Sequence, residues 1–187
     1  MEAGTDPNQR DTDQDGTDHY FEAVSSHHLP GVSKLGTDPL LKDKLILVQL
    51  DSADVVGDCD PLAGDNYGEF SGELLVQSGT TTPTHLLYLK LDNQHGLLDG
   101  TREGTSFTFS GTKVYQYVTE DRPFRLISRG QKDIDTANDD DPLNDLDDTK
   151  SYSDVKNGNY TVEATAADAS DTGCKLRFHY SVTLRQK

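Results

Sequence analysis

The end of the chain constrains the fold most. Leu176, Phe178, Tyr180, Val182 and Leu184 alternate with Lys175, Arg177, His179, Ser181 and Thr183. Successive side chains of an extended strand point to opposite faces, so this run has one apolar face and one polar face. Tyr160, Val162, Ala164 and Ala166 repeat the spacing, separated by Thr161, Glu163 and Thr165. The two runs predict an antiparallel hairpin, with Asp168 to Gly173 as its turn.

The same reading places strands at Leu45 to Leu50, Phe70 to Gln77, His85 to Leu91, Thr105 to Phe109, Lys113 to Thr119 and Phe124 to Ser128. Strong helical periodicity is absent, and the connections leave no room for the crossover helices of a parallel sheet. About eight short strands separated by turn residues predict an all-β fold, an antiparallel β-sandwich with a two-layer core. That domain spans residues 41–187. Residues 1–40 have little apolar periodicity and read as an acidic N-terminal arm, partly extended, docking through Tyr20, Phe21 and Val24. Tyr115 and Tyr117 alternate with Val114, Gln116 and Val118, so either face of that strand can be core.

Charge narrows the function classes. Acidic side chains number 33 against 17 basic ones, a net charge of −16. Nucleic acid is therefore not an expected partner, because binding it requires lysine and arginine to displace counterions. No apolar run is long enough for a transmembrane segment, and no secretory apolar core is present. A secreted or extracellular setting is nevertheless favoured. There Cys59 and Cys174 would close one long-range disulfide; in a reducing compartment they would be two inert thiols. Asn159-Tyr160-Thr161 fits a glycosylation acceptor triplet.

The acid is clustered, and 26 of the 33 residues are aspartate, the short oxygen ligand that loops use to hold calcium. Asp11-Thr12-Asp13-Gln14-Asp15-Gly16, followed by Glu22, fits the calcium-loop spacing D-x-D-x-D-G-x5-E. Asp11, Asp13 and Asp15 would converge on one cation, Gly16 would permit the sharp turn, and Glu22 would close the site. Asp18 stands where such loops carry an apolar residue, and the preceding segment is a poor helix, so a full paired EF-hand is not expected. A second cluster follows the first strand: Asp51, Asp54, Asp58, Asp60 and Asp65. The third lies in a predicted loop from Gly130 to Asn157, where Asp133, Asp135, Asp139, Asp140, Asp141, Asp145, Asp147 and Asp148 fall within sixteen residues. Carboxylates so close repel one another unless cations intervene. Arg122, Arg125 and Arg129, with Lys113, are candidates to neutralise them, and Leu143 and Leu146 to anchor the loop.

On a sandwich the second and third clusters would meet at one end. This arrangement resembles a C2 domain, a calcium-dependent β-sandwich. The resemblance is carried by Leu47-Val48-Gln49-Leu50-Asp51-Ser52-Ala53-Asp54, then Asp58, then Gly64-Asp65-Asn66-Tyr67, and later by Phe124-Arg125-Leu126-Ile127 before Asp133-Ile134-Asp135. It implies calcium ligands at Asp58, Asp65, Asp133, Asp135 and Asp141. Asn66 stands where the family has proline, and the third loop is longer than usual.

Enzyme motifs are missing: no H-E-x-x-H helix, no G-x-S-x-G elbow and no phosphate-binding glycine loop. His179 falls on the polar face beside Arg177 and reads as surface. The expectation is a non-enzymatic calcium-binding module whose ordered loops meet a protein partner rather than lipid. The alternatives are a structural or assembly domain whose acidity serves solubility, and a carbohydrate-active domain using paired carboxylates.

Overall fold

The computed structural model describes residues 42–57, 67–68, 70–79, 83–89, 101–102, 106–109, 112–133, 141–167 and 175–185. These residues are all β. The long strands are β1 (Asp43–Gly57), β3 (Phe70–Ser78), β4 (Thr84–Leu89), β7 (Lys113–Thr119), β8 (Phe124–Asp133), β11 (Gly158–Thr165) and β12 (Lys175–Arg185). Shorter pieces are β2 (Tyr67–Gly68), β5 (Thr101–Arg102), β6 (Ser106–Thr108), β9 (Asp141–Pro142) and β10 (Asp147–Lys150).

Two antiparallel sheets pack face to face as a sandwich. The first runs β11-β12-β1-β6, with β7 also on β1. The predicted hairpin is its outer pair, in register from Gly158 with Val182 to Thr165 with Lys175. The second sheet runs β10-β8-β3-β4, with β9 also on β8. β2 and β5 pair separately. The chain crosses between sheets at Thr119–Arg122, whose backbones exchange hydrogen bonds of 3.1 and 3.3 Å.

β1 is longer than its apolar alternation suggests. Ile46, Val48 and Leu50 point into the core, and so do Ala53 and Val55. The inward parity switches because a bulge between Leu50 and Ser52 inserts one residue against β12. Asp51 and Asp54 therefore lie inside a strand, not in the connection that was expected to begin at Asp51. β6 and β7 lie along one edge of β1, tied in by Phe109 N–H to Asp51 O at 2.9 Å and Leu50 N–H to Thr112 O at 3.0 Å.

Part of the expected loop from Gly130 to Asn157 is also strand. β8 runs on to Asp133, and β9 and β10 return along it, Asp141 opposite Asp133 and Lys150 opposite Phe124. Leu143 is buried and Leu146 packs against the core, as the sequence suggests. Gly72 of β3, with φ of 134°, sits opposite a second bulge, where β8 carries one extra residue. An added Cβ there would lie 2.6 Å from Gln131 Cγ and 2.7 Å from its Cα, so the close approach requires glycine.

The core joins Leu176, Phe178, Tyr180 and Val182 to Phe70, Leu74, Val76, Phe124 and Leu126 of the facing sheet. Each such side chain stabilises the fold by roughly 1.5–3 kcal/mol on transfer from water. On β7 the core face is that of Val114 and Val118, while Tyr115 and Tyr117 are half-buried on the other.

Candidate functional site

Acidic residues within the sheets are largely matched by the protein's own donors. Asp147 of β10 receives the Arg125 guanidinium at 2.5 Å, with a second bond at 3.2 Å. The hydrogen bonds from Arg125 hold the Asp147 carboxyl below the usual range and outweigh its partial burial; they also raise Arg125. Asp148 takes Lys150 at 2.9 Å and the hydroxyl of Tyr180 at 2.6 Å. Burial first, then the Asp148 carboxylate, pushes the Tyr180 phenol strongly upward. Asp145 accepts the backbone N–H of Gly130 at 3.3 Å. Mutual repulsion, the premise for a cation in that stretch, is thus already relieved at Asp147 and Asp148, each paired with a cation. Of the basic residues expected to neutralise the stretch, Arg125 does so.

A polar chain on the outer face of the first sheet was not anticipated. Ser106 donates to Asp54 Oδ1 at 2.6 Å, Asp54 Oδ2 meets His179 Nε2 at 2.6 Å, and His179 Nδ1 meets Thr161 Oγ1 at 3.1 Å. It links four adjacent strands: β6, β1, β12 and β11. With Asp54 ionised, Nε2 carries the proton, and in the neutral ring Nδ1 accepts from Thr161. Beside it Arg177 pairs with Glu163 at 2.6 Å. Burial raises the Asp54 pKa, but the hydrogen bonds from Ser106 and His179, with the charges of His179 and Arg177, overcome this and leave it lowered. His179 is therefore not a simply solvated side chain, as its place on the polar face suggested. Hydroxyl, imidazole and carboxylate stand in the order of a nucleophilic triad. Thr161 and Ser106, however, are exposed on an open sheet face, and fastening the strands together accounts for every contact.

The predicted calcium residues fall mainly elsewhere. Asp11, Asp13, Asp15, Glu22, Asp58, Asp65 and Asp135 lie outside the described residues. Asp133 and Asp141 are opposed across β8 and β9. Among the described residues, no three histidine, cysteine or acidic side chains form a cluster able to hold a metal.

The stems of the acidic connections are described, and they converge. Gly57, the last residue of β1, is the register partner of Lys175, the first of β12. Cys59 and Cys174, both outside the described residues, lie two positions and one position beyond that rung. Lys175 also pairs with Thr165 at the end of β11. Asn144 N–H bonds Thr165 O and Ala167 N–H bonds Pro142 O, each at 2.8 Å, so the end of β11 lies against the end of the two-residue β9 and the chain just beyond it. Asp133 is opposed in turn by Phe70, where the chain returns after β2. The connections 58–66, 134–140 and 168–174 thus all leave from one pole. Together they contain eight aspartates and no lysine or arginine. The sequence marks the third of these, with Asp168 and Asp171, only as a turn.

Comparison with family models and with curated proteins returns no match. No helix among the described residues is long and apolar enough to cross a membrane.

Proposed function

We propose that this chain is a non-catalytic calcium-binding β-sandwich module, in which calcium orders the acidic connections at one pole for contact with a protein partner. One observation carries the reading: three connections holding eight aspartates and no basic residue spring from stems that touch one another. Paired cations neutralise several acids within the sheets, but these connections carry none of their own.

Calcium suits such a pole because it accepts six to eight oxygens in flexible geometry, and carboxylates from separate segments can supply them. Asp58, Asp65 and Asp135 would be ligands, with Asp133 and Asp141 at the stems and Asp168 and Asp171 as further oxygens. The described side chains alone make no metal site, so the ligands must come chiefly from the connections. The arm loop, Asp11, Asp13, Asp15 and Glu22, would be a separate site. A C2-like use of this pole is part of the same proposal, with a protein rather than an anionic lipid surface as the partner.

Calorimetric titration of the chelated full chain with calcium tests the reading. Sub-millimolar binding with a raised melting temperature is expected. Asp58→Asn with Asp65→Asn should reduce that calcium-dependent gain, whereas Asp147→Asn should lower melting equally with and without calcium. Neither heat nor a melting shift would leave the acidity as a solubility device.

A further inference from the structure

We infer that the outer face of the first sheet, over the first half of β1 and the adjoining β7, is the docking surface for the chain's own N-terminal segment 1–41. Side chains on β1 alternate, so Leu45 and Leu47 face away from the core that Ile46 and Val48 enter. Tyr117 and Tyr115 are their register partners on β7 and share that outer face. The result is a four-residue apolar patch on a surface that the second sheet does not touch.

Exposure across this face is uneven. Asp43, Leu45 and Leu47 are only 4%, 6% and 7% exposed, and Thr119, opposite Asp43, is 4% exposed. Both carboxylate oxygens of Asp43 are shielded from water. Across the other edge of β1, Thr183 and Arg185 are exposed, although they share rungs with Leu47 and Leu45. Lys113, further along β7, is exposed as well. Tyr115 and Tyr117 flank the leucines on one side only. The dry zone is therefore a corner, where β1 begins beside the end of β7.

Chain connectivity selects the occupant. The connections 58–66, 90–100, 103–105, 134–140 and 168–174 start from the far end of the strands, as the stem pairings show; 80–82 leaves the facing sheet, and it and 110–111 are short and polar. Gln186 and Lys187 follow Arg185 but are polar. Segment 1–41 joins the sheet at Lys42, directly at the dry corner, and it carries Leu40, Leu41, Leu35 and Leu29, with Tyr20, Phe21 and Val24. Its charge fits too: it holds eight acidic residues and two basic ones, and Lys113 and Arg185 stand on the rim of the patch. A tethered segment docks at an effective concentration on the order of millimolar, so modest apolar contact is enough to hold it.

The test replaces Tyr117 in the full chain with the photo-crosslinker p-benzoyl-L-phenylalanine and maps the products by peptide mass spectrometry. Cross-links within one molecule to residues 1–41 are expected, and Leu40→Asp with Leu41→Asp should lower their yield several-fold while the β circular dichroism persists. Cross-links between two molecules, rising with concentration, would overturn the proposal in favour of a second copy. Cross-links to another part of the chain, or none, would overturn it outright. Hydrogen exchange on the unlabelled chain is the check if the label perturbs folding. Amides of 43–47 and 115–119 should lose protection in the Leu40→Asp/Leu41→Asp variant, and unchanged protection would refute docking.

Discussion

Tyr180 shows how much rests on one hydroxyl. Its ring is fully buried, stacks on Tyr160 with centroids 5.3 Å apart, and reaches Asp148 on the opposite sheet. Tyr180→Phe keeps the packing but removes a hydrogen bond to a charged group. It should cost about 1.5–3 kcal/mol, read from the urea midpoint at neutral pH. Asp54 and Asp147 predict the acid limb of stability. Both carboxyls sit below their ordinary range in the fold. Their contribution is therefore complete above the unfolded aspartate value, near pH 4, and is lost as pH falls through the lower folded values. Urea midpoints measured from pH 5 downward should decline in the parent chain. The decline should be shallower in Asp54→Asn, and a parallel curve would mean that the Ser106–Asp54–His179 contacts contribute nothing.

Among the elements, the two bulge glycines separate packing from backbone conformation. Gly72→Ala meets Gln131 backbone at 2.7 Å as well as an unfavourable φ. Gly130, with φ of 58°, has open space around it. Thermal melting should fall far more for Gly72→Ala than for Gly130→Ala, whose cost should be about 1 kcal/mol. Elements that alternate apolar and polar residues are legible in the sequence, and the eight predicted runs all contain strands. β10 was illegible because Asp147, Asp148, Thr149 and Lys150 have no apolar side chain to mark an inward face. The second half of β1 was hidden by its bulge, which reverses the inward parity after Leu50 and makes Asp51 and Asp54 resemble loop acids. His179 was placed on the right face, but its partner Asp54 is 125 positions away, and no local pattern carries that pairing. The shared pole was anticipated for two acidic connections; the third entered only with the β11–β12 register.

At the scale of the molecule, β1 is the organiser, since it pairs with β12, β6 and β7. Its rungs with β12 join the two ends of the domain, so a large loop must close before the central pairing forms. Such topologies fold in milliseconds to seconds. Stopped-flow refolding should show that timescale, and sub-millisecond folding would contradict this order of assembly.

The stems of three connections that hold eight aspartates and no basic residue meet at one pole, which gives a positively charged resin a local cluster to grip. If calcium occupies that cluster, adding it should release the bound chain at a lower salt concentration than chelated buffer requires.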